Sequence, residues 1–146
     1  MFVIAAVLAG CGARNEFAVY QTIGDAGWAY GDTITMTATL DETVAVGSLS
    51  VDVRHDNDYL FQNLWIEVSY ESAQHRPVRD TVNVVLSDKF GNWTGSGFGP
   101  RYQQSVVVGE NVSLADSTPI FLRHIMRVDT LHHIDEIGVS FKPNEK

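Results

Sequence analysis

Apolar and polar residues alternate with a period of two along most of this chain. The clearest example is residues 33–40, where Ile34, Met36, Ala38 and Leu40 alternate with four threonines. Such alternation predicts a β-strand with one buried face and one face in water. The same pattern, in weaker form, predicts further strands at residues 17–23, 49–54, 64–70, 82–86, 102–108, 120–127 and 137–142.

About eight short strands separated by turn-rich segments, without a long stretch of helical periodicity, predict an all-β domain. The expected architecture is an antiparallel β-sandwich of jelly-roll or immunoglobulin-like type, and the hydrophobic pattern does not choose between the two. Pro77 is expected to close the loop that follows the strand at 64–70. Residues 130–136 are the one segment expected to form a single helical turn.

The N-terminal residues predict where the protein is located. An apolar run over residues 2–9 leads into Leu8-Ala9-Gly10-Cys11, the pattern read by the bacterial lipoprotein signal peptidase, which cuts before a cysteine that carries lipid. The run is shorter than the roughly 20 apolar residues of a membrane-spanning helix, so it is interpreted as part of a signal peptide. We therefore expect a signal peptide at 1–10, a lipidated tether at 11–16 and a single sandwich domain at 17–146.

Composition and charge narrow the classes of partner. The chain is 45% hydrophobic and 19% charged, which is typical of a globular domain. Its 18 acidic residues exceed its 10 lysines and arginines and give a net charge of −8, which disfavours nucleic acid and anionic membrane surfaces as partners. Cys11 is the only cysteine, so no disulfide is expected, and membrane attachment is predicted to come from lipid on that residue.

The segment at residues 88–99 is rich in glycine and carries three aromatic residues, with a fourth nearby. It holds four of the 12 glycines, which indicates unusual backbone conformations or the close approach of another surface. Asn92, Trp93, Phe98 and the nearby Tyr102 are candidates for a platform that stacks a sugar or anchors a protein partner. The alternative is a long hairpin whose aromatic residues cap the end of the sandwich. A phosphate-binding loop is excluded, because proline and arginine follow the last glycine.

A second candidate site lies in the polar run at residues 54–59. Arg54, Asn57 and Tyr59 are possible partner-binding or ligand-binding residues, and Asp56 with Asp58 offers oxygen atoms of the kind that calcium prefers. The run lacks the glycine and the distal glutamate of a calcium-binding loop. A solvated turn with side-chain to backbone hydrogen bonds is the favoured interpretation.

The histidines and the remaining reactive residue types predict neither a metal site nor catalysis. His124 lies on an apolar strand face and is expected to be buried and hydrogen-bonded, whereas His132 and His133 are adjacent in a loop and would point apart. The sequence has no serine-nucleophile motif and no recognisable pair of catalytic carboxylates. We therefore expect no metal, no cofactor and no enzymatic activity.

Taken together, the motifs resemble the GldH-type gliding-motility lipoprotein family. The resemblance covers essentially all of the chain after Cys11 and rests on the order and spacing of individually unspecific residues. These residues are Tyr20, Gly27, Trp28, Asp32, Arg54, Tyr59, Asn63, Leu64, Trp65, Asp80, Thr81, Asp88, Gly91, Trp93, Gly95, Gly97, Gly99, His124, Met126, Arg127 and Gly138.

The resemblance implies a cell-envelope lipoprotein of the gliding machinery and its linked protein-secretion pathway, without known catalytic residues. Its expected partners are the membrane, through lipid on Cys11, and other envelope proteins of that apparatus. Residues 12–16 lack the acid-rich tract that resembles a surface-export signal, which favours an anchor facing the periplasm. A carbohydrate-binding module that uses Trp93, Phe98 and Tyr102 is the alternative function.

Overall fold

The computed structural model describes residues 15–145, and these residues form strands, turns and loops without a helix. The strands are β1 (Phe17–Thr22), β2 (Trp28–Ala29), β3 (Ile34–Thr37), β4 (Val44–Asp56), β5 (Asn63–Glu71), β6 (Pro77–Val85), β7 (Ser96–Phe98), β8 (Arg101–Ala115), β9 (Pro119–His124), β10 (Thr130–Leu131) and β11 (Ile134–Pro143). Within the described part of the chain, no helix is long and apolar enough to cross a membrane. Cys11 and the predicted signal peptide lie outside the described residues.

Two antiparallel sheets form the body of the protein. One has five strands in the order β1-β11-β4-β8-β7 and the other has four in the order β3-β9-β5-β6, while β2 and β10 form a small separate pair. Residues from both large sheets belong to one hydrophobic core. The predicted all-β antiparallel sandwich is confirmed, and the eight predicted strands correspond to all elements except the short β2, β7 and β10.

The period-two pattern decides which side chains enter the core. On β4, Leu49, Val51 and Val53 are fully buried, and on β3 Ile34 and Met36 are buried while the threonines between them are exposed. Burying each such side chain contributes about 1.5–3 kcal/mol, which makes the alternate faces the main determinant of sheet packing. Pro77 begins the edge strand β6, where a missing backbone donor is tolerated.

The predicted helical turn at residues 130–136 is wrong. Thr130 and Leu131 form β10, which pairs with β2, and β11 begins at Ile134. Leu131 and Ile134 are both buried, whereas His133 between them adopts a φ of 71° and turns the chain. Burial of Leu131 and Ile134 and the pairing of β10 with β2 therefore give strands in place of a helical turn.

His124 is buried and hydrogen-bonded, as expected. Its Nε2 lies 3.0 Å from the carbonyl oxygen of Trp28, and the amide of Met126 donates to its Nδ1 over 3.3 Å. A neutral ring with its proton on Nε2 satisfies both contacts, and burial lowers the pKa of His124 below its ordinary value. The side chain is a structural link between β9 and β2.

Candidate functional site

Several of the predicted site residues meet in one aromatic cluster around His55, at the end of β4. The imidazole ring of His55 is fully buried, and its centroid lies 4.6 Å from that of Trp93 and 5.6 Å from that of Tyr102. The rings of Trp93 and Tyr102 are 6.0 Å apart, and Trp93 donates a 3.0 Å hydrogen bond from Nε1 to the side-chain oxygen of Asn57. The two candidate segments of the sequence therefore form a single structural unit.

Tyr59 supports this unit from inside. It is 5% exposed, its ring lies 5.8 Å from that of His55, and its hydroxyl donates to the carbonyl oxygen of Asn63. Burial raises the pKa of Tyr59 well above its ordinary value. Tyr59 therefore positions its neighbours and presents little surface to a ligand.

The neutral state of His55 follows from its contacts. Its Nδ1 lies 2.9 Å from the carbonyl oxygen of Asp56, which can only accept, so the proton is on Nδ1. Its Nε2 is buried and has no hydrogen-bond partner among residues 15–145. Burial lowers the pKa of His55, which keeps the ring uncharged among its aromatic neighbours.

The glycine-rich segment begins with an ordered turn at residues 88–92 and includes the strand β7. Asp88 accepts hydrogen bonds from the amides of Asn92 and Phe90, at 2.9 and 2.8 Å, and these bonds lower its pKa against the opposing effect of burial. Gly97 lies against the ring of Tyr102, where a Cβ would come within 2.7 Å of the ring. Close packing against Tyr102 therefore explains why a glycine, and no larger residue, is present at position 97. The side chain of Phe98 lies outside the described part of the structure.

Beside the aromatic cluster, the five-stranded sheet carries a cleft of about 760 Å³. Five segments line it: the end of β1 with the turn after it, the end of β4, β7, the start of β8, and residues 132–136. Of the predicted site residues whose side chains the structure describes, only Arg54 and Tyr102 line this cleft. A volume of this size is within the range of small-molecule or peptide-side-chain sites.

Arg54 is held rigidly on one wall of the cleft. Its Nη1 lies 2.6 Å from Oε1 of Glu136, its Nε donates to Oε1 of Gln103 over 3.0 Å, and its guanidinium carbon lies 4.7 Å from the ring centroid of Tyr20. Tyr20 is itself fixed, because its hydroxyl donates to Asp52 over 3.0 Å. The guanidinium group is therefore pre-organised for a ligand.

Asp52 is an almost buried carboxylate on the outward face of the sheet. It is 3% exposed and accepts hydrogen bonds from the hydroxyls of Tyr20, Ser105 and, more weakly, Ser140. Burial and the neighbouring Asp52 carboxylate raise the pKa of Tyr20. Hydrogen bonds among polar side chains of four adjacent strands thus fix Tyr20, on which the Arg54 guanidinium lies.

Two ion pairs form the other side of the cleft. Arg101 pairs with Asp135, and Nδ1 of His133 lies 3.0 Å from Oδ2 of Asp56. The hydrogen bond with Asp56 raises the pKa of His133. Burial would raise the pKa of Asp56, but its hydrogen bonds with His133 and the amide of Asp58 lower it.

Asp56, Asp58 and His133 are also the described residues that could hold a metal ion, since their ligand atoms lie within 4.8 Å of one another. Two carboxylates and an imidazole are ligand types that zinc accepts. The group is equally accounted for without a metal, because Asp56 already accepts from the Asp58 amide at 2.8 Å and contacts His133. The turn expected at this segment is confirmed.

Sequence reasoning missed most of the cleft. Gln103 lies in a predicted strand, whereas Asp135 and Glu136 lie in the part of β11 where a helical turn was expected. Nothing in their local sequence indicates that they face Arg54 or Arg101. Their proximity to Arg54 and Arg101 follows from the pairing register of the strands, which the sequence pattern does not reveal. Tyr20 is one of the residues that carry the family resemblance, but the sequence did not predict it as a site residue.

Comparison with known proteins agrees with the resemblance seen in the sequence. A family model described as GldH lipoprotein matches residues 15–141. The gliding motility lipoprotein GldH of Flavobacterium johnsoniae is 22% identical over 152 residues, covering 99% of this chain and 95% of that protein. A GldH homolog of Christiangramia forsetii is 23% identical over 118 residues, covering 80% of this chain and 72% of that protein.

Among solved structures, a family 35 carbohydrate binding module from Clostridium thermocellum aligns with a TM-score of 0.41 and 16% identity, covering 87% of this chain and 88% of that chain. The family match extends over most of the sequence. The protein therefore belongs to the GldH lipoprotein family, whose members are membrane-anchored envelope lipoproteins involved in gliding motility.

Proposed function

We propose that this protein is a non-enzymatic, structural or accessory component of the gliding machinery and of its linked protein-secretion pathway. Lipid on Cys11 anchors it in a membrane of the cell envelope, facing the periplasm. It acts by binding other envelope proteins through the end of the sandwich that carries the cleft. The observation that carries the proposal is the cleft itself, with its fixed charged and polar side chains.

The internal pairing of the cleft supports a binding role over a catalytic one. Glu136 is held by Arg54, Asp135 by Arg101, and Asp56 by His133. A carboxylate that acts in proton transfer needs access to the reacting group and a pKa suited to the transfer. These three carboxylates instead fix the shape of a surface, which suits recognition of a partner that presents its own polar groups.

Affinity purification after mild crosslinking of intact cells tests this proposal. We expect the wild-type protein to recover a defined set of envelope proteins. Asp25→Lys reverses a charge at the cleft and should reduce recovery of those proteins, whereas Glu110→Lys, an exposed charge reversal on β8 far from the cleft, should not. Recovery of the protein without partners under several mild detergents, or equal effects of both variants, would contradict the proposal.

A second candidate function is carbohydrate binding, and the observation that favours it is the position of Tyr102. Its ring borders the cleft beside Trp93, and Gln103 and Arg54 provide planar hydrogen-bonding groups next to it. An aromatic face with adjacent planar polar side chains is a combination that can bind a sugar. Trp93 belongs to this candidate as a support for Tyr102.

A glycan array with the soluble domain tests the second candidate. Gln103→Ala should abolish any binding, because it removes a cleft side chain while leaving the aromatic cluster intact. Gln74→Ala, at an exposed turn elsewhere, is the matched control. Binding that survives Gln103→Ala would show that the sugar site lies elsewhere.

A further inference from the structure

The folded domain begins very close to the proposed lipid anchor. Asn15 is 9% exposed, its side-chain oxygen accepts hydrogen bonds from the amides of Asp41 and Glu42 at 3.1 Å, and its side-chain nitrogen donates to Glu42 over 2.8 Å. Two residues later, Phe17 packs on Phe141 with ring centroids 5.6 Å apart. The chain is therefore fixed in the fold from residue 15 onward.

The length of chain before Asn15 limits how far the domain can move from the bilayer. Cys11 precedes Asn15 by four positions. A fully extended chain spans at most about 3.5 Å per residue, so the two Cα atoms are at most about 14 Å apart.

Strand directions place the cleft at the opposite end of the sandwich. In the five-stranded sheet, Val44 at the start of β4 pairs with Ala115, near the residues that hold Asn15, and Asp56 at the end of β4 pairs with Arg101 in the cleft. β4 has 13 residues. At about 3.3 Å per residue it separates the two ends by about 40 Å, nearly three times the reach of the tether.

Charge alone would not hold this end of the domain at the membrane. The end near Asn15 carries exposed acidic side chains, among them Glu16, Glu42, Glu110 and Asp116. Repulsion between these side chains and anionic headgroups is screened beyond about 8 Å, the Debye length, so the lipid anchor is what holds this end at the bilayer.

We propose that the protein stands end-on at the bilayer, with the rim around Asn15, Glu42, Glu110 and Asp116 facing the lipid headgroups and the cleft opening away from the membrane. The inference rests on the proposed anchoring through Cys11 and deepens the proposed function. It requires a cleft partner to meet the protein at a distance from the membrane surface. A partner lying flat against the same leaflet would not reach the cleft.

Fluorescence quenching with the lipidated, full mature protein tests this orientation. Cys11 is the only cysteine and its sulfur carries the lipid, so an introduced cysteine is the only reactive thiol. A fluorophore at Glu110→Cys and one at Asp25→Cys are compared in vesicles of phosphatidylethanolamine and phosphatidylglycerol that contain a headgroup-attached quencher. We expect loss of most of the fluorescence at the Glu110 position and little loss at the Asp25 position.

Two controls make each outcome decisive. A second pair, Glu145→Cys and Lys89→Cys, replaces the first if either labelled variant is misfolded. Insertion of a flexible Gly/Ser segment after Gly12 should remove the difference between the two positions, because a longer tether releases the domain. Equal quenching with the native tether, or a difference that persists with the long one, would overturn the end-on orientation.

Intact mass and partition into a detergent phase distinguish a protein that lacks the lipid anchor from a lipidated protein that is not oriented end-on. A mature protein without lipid on Cys11 would contradict the proposed anchoring. A lipidated protein with equal quenching at both positions would contradict only the orientation. Cys11→Ser provides the baseline, since neither label should then be quenched.

Discussion

Replacing Gly138 with alanine should test how the wall of the cleft is built. Gly138 lies on β11, where it pairs with Tyr20 on one side and Asp52 on the other. A Cβ at this position would come within 2.6 Å of Cε1 of Tyr20 and 2.7 Å of the carbonyl oxygen of Val19. Both distances are too short to tolerate, so the Tyr20 ring and part of β1 must move.

The cost of this change follows from two contributions. Forcing a methyl group into a packed site costs about 1–3 kcal/mol. Displacing Tyr20 also breaks its hydrogen bond to the carboxylate of Asp52, which for a charged partner contributes about 1.5–3 kcal/mol when buried. Tyr20 is 37% exposed, so water can replace part of that bond. We therefore expect Gly138→Ala to lower the free energy of unfolding by about 2–4 kcal/mol.

Urea unfolding of the soluble Cys11→Ser protein, followed by tryptophan fluorescence, measures this difference. In a Tyr20→Ala background the cost of Gly138→Ala should fall but not vanish, because the contact with the Val19 carbonyl remains. A single-variant cost below about 0.5 kcal/mol, the size of a neutral surface change, would refute the close packing. An unchanged cost in the Tyr20→Ala background would show that Gly138 does not accommodate this ring.

The remaining predictions concern the aromatic cluster and the response to acid. Trp93→Phe removes the hydrogen bond to Asn57 while keeping a ring against His55, and it should lower the free energy of unfolding by about 0.5–1.5 kcal/mol. Trp65→Phe changes an outward-facing indole and should lower the free energy of unfolding by less. Equal costs of the two variants would contradict a specific role for the Asn57 contact. Because the pKa of His124 is lowered in the folded state, the unfolded chain binds more protons below pH 6.5, so stability should be complete above that value and fall as the pH decreases. His124→Leu should weaken this dependence without abolishing it, since His55 contributes in the same direction, and an unchanged pH profile in urea unfolding would count against a neutral, buried His124.

Strand positions could be predicted because burial of alternate side chains leaves a direct trace in the sequence. Leu49, Val51 and Val53 show it on β4. The same rule fails where the pattern is interrupted: polar residues after residue 108 predict the end of a strand, yet β8 continues to Ala115. Pairing with β4 carries the backbone through that gap, with shifts in register near Gly47 and Leu49.

Pairs that are distant in sequence could not be predicted. The segment Thr130–Leu131 becomes a strand because it pairs with Trp28–Ala29, far away in the chain. The arrangement of Asp56 with His133 has the same origin, since the amide of Asp56 also donates to the carbonyl oxygen of His133. Local sequence favours a turn at both places, but tertiary contacts make the first segment a strand and fix the second against His133.

Three residues of the family resemblance come together at the wall of the cleft. Tyr20, Arg54 and Gly138 are separate in the sequence, and each could serve many purposes. In the structure the absence of a side chain at Gly138 lets the Tyr20 ring lie across β11 and reach Asp52, and that ring in turn supports the Arg54 guanidinium. Three of the residues on which the resemblance to the GldH family rests thus form one side-chain stack, which holds the Arg54 guanidinium at the wall of the cleft.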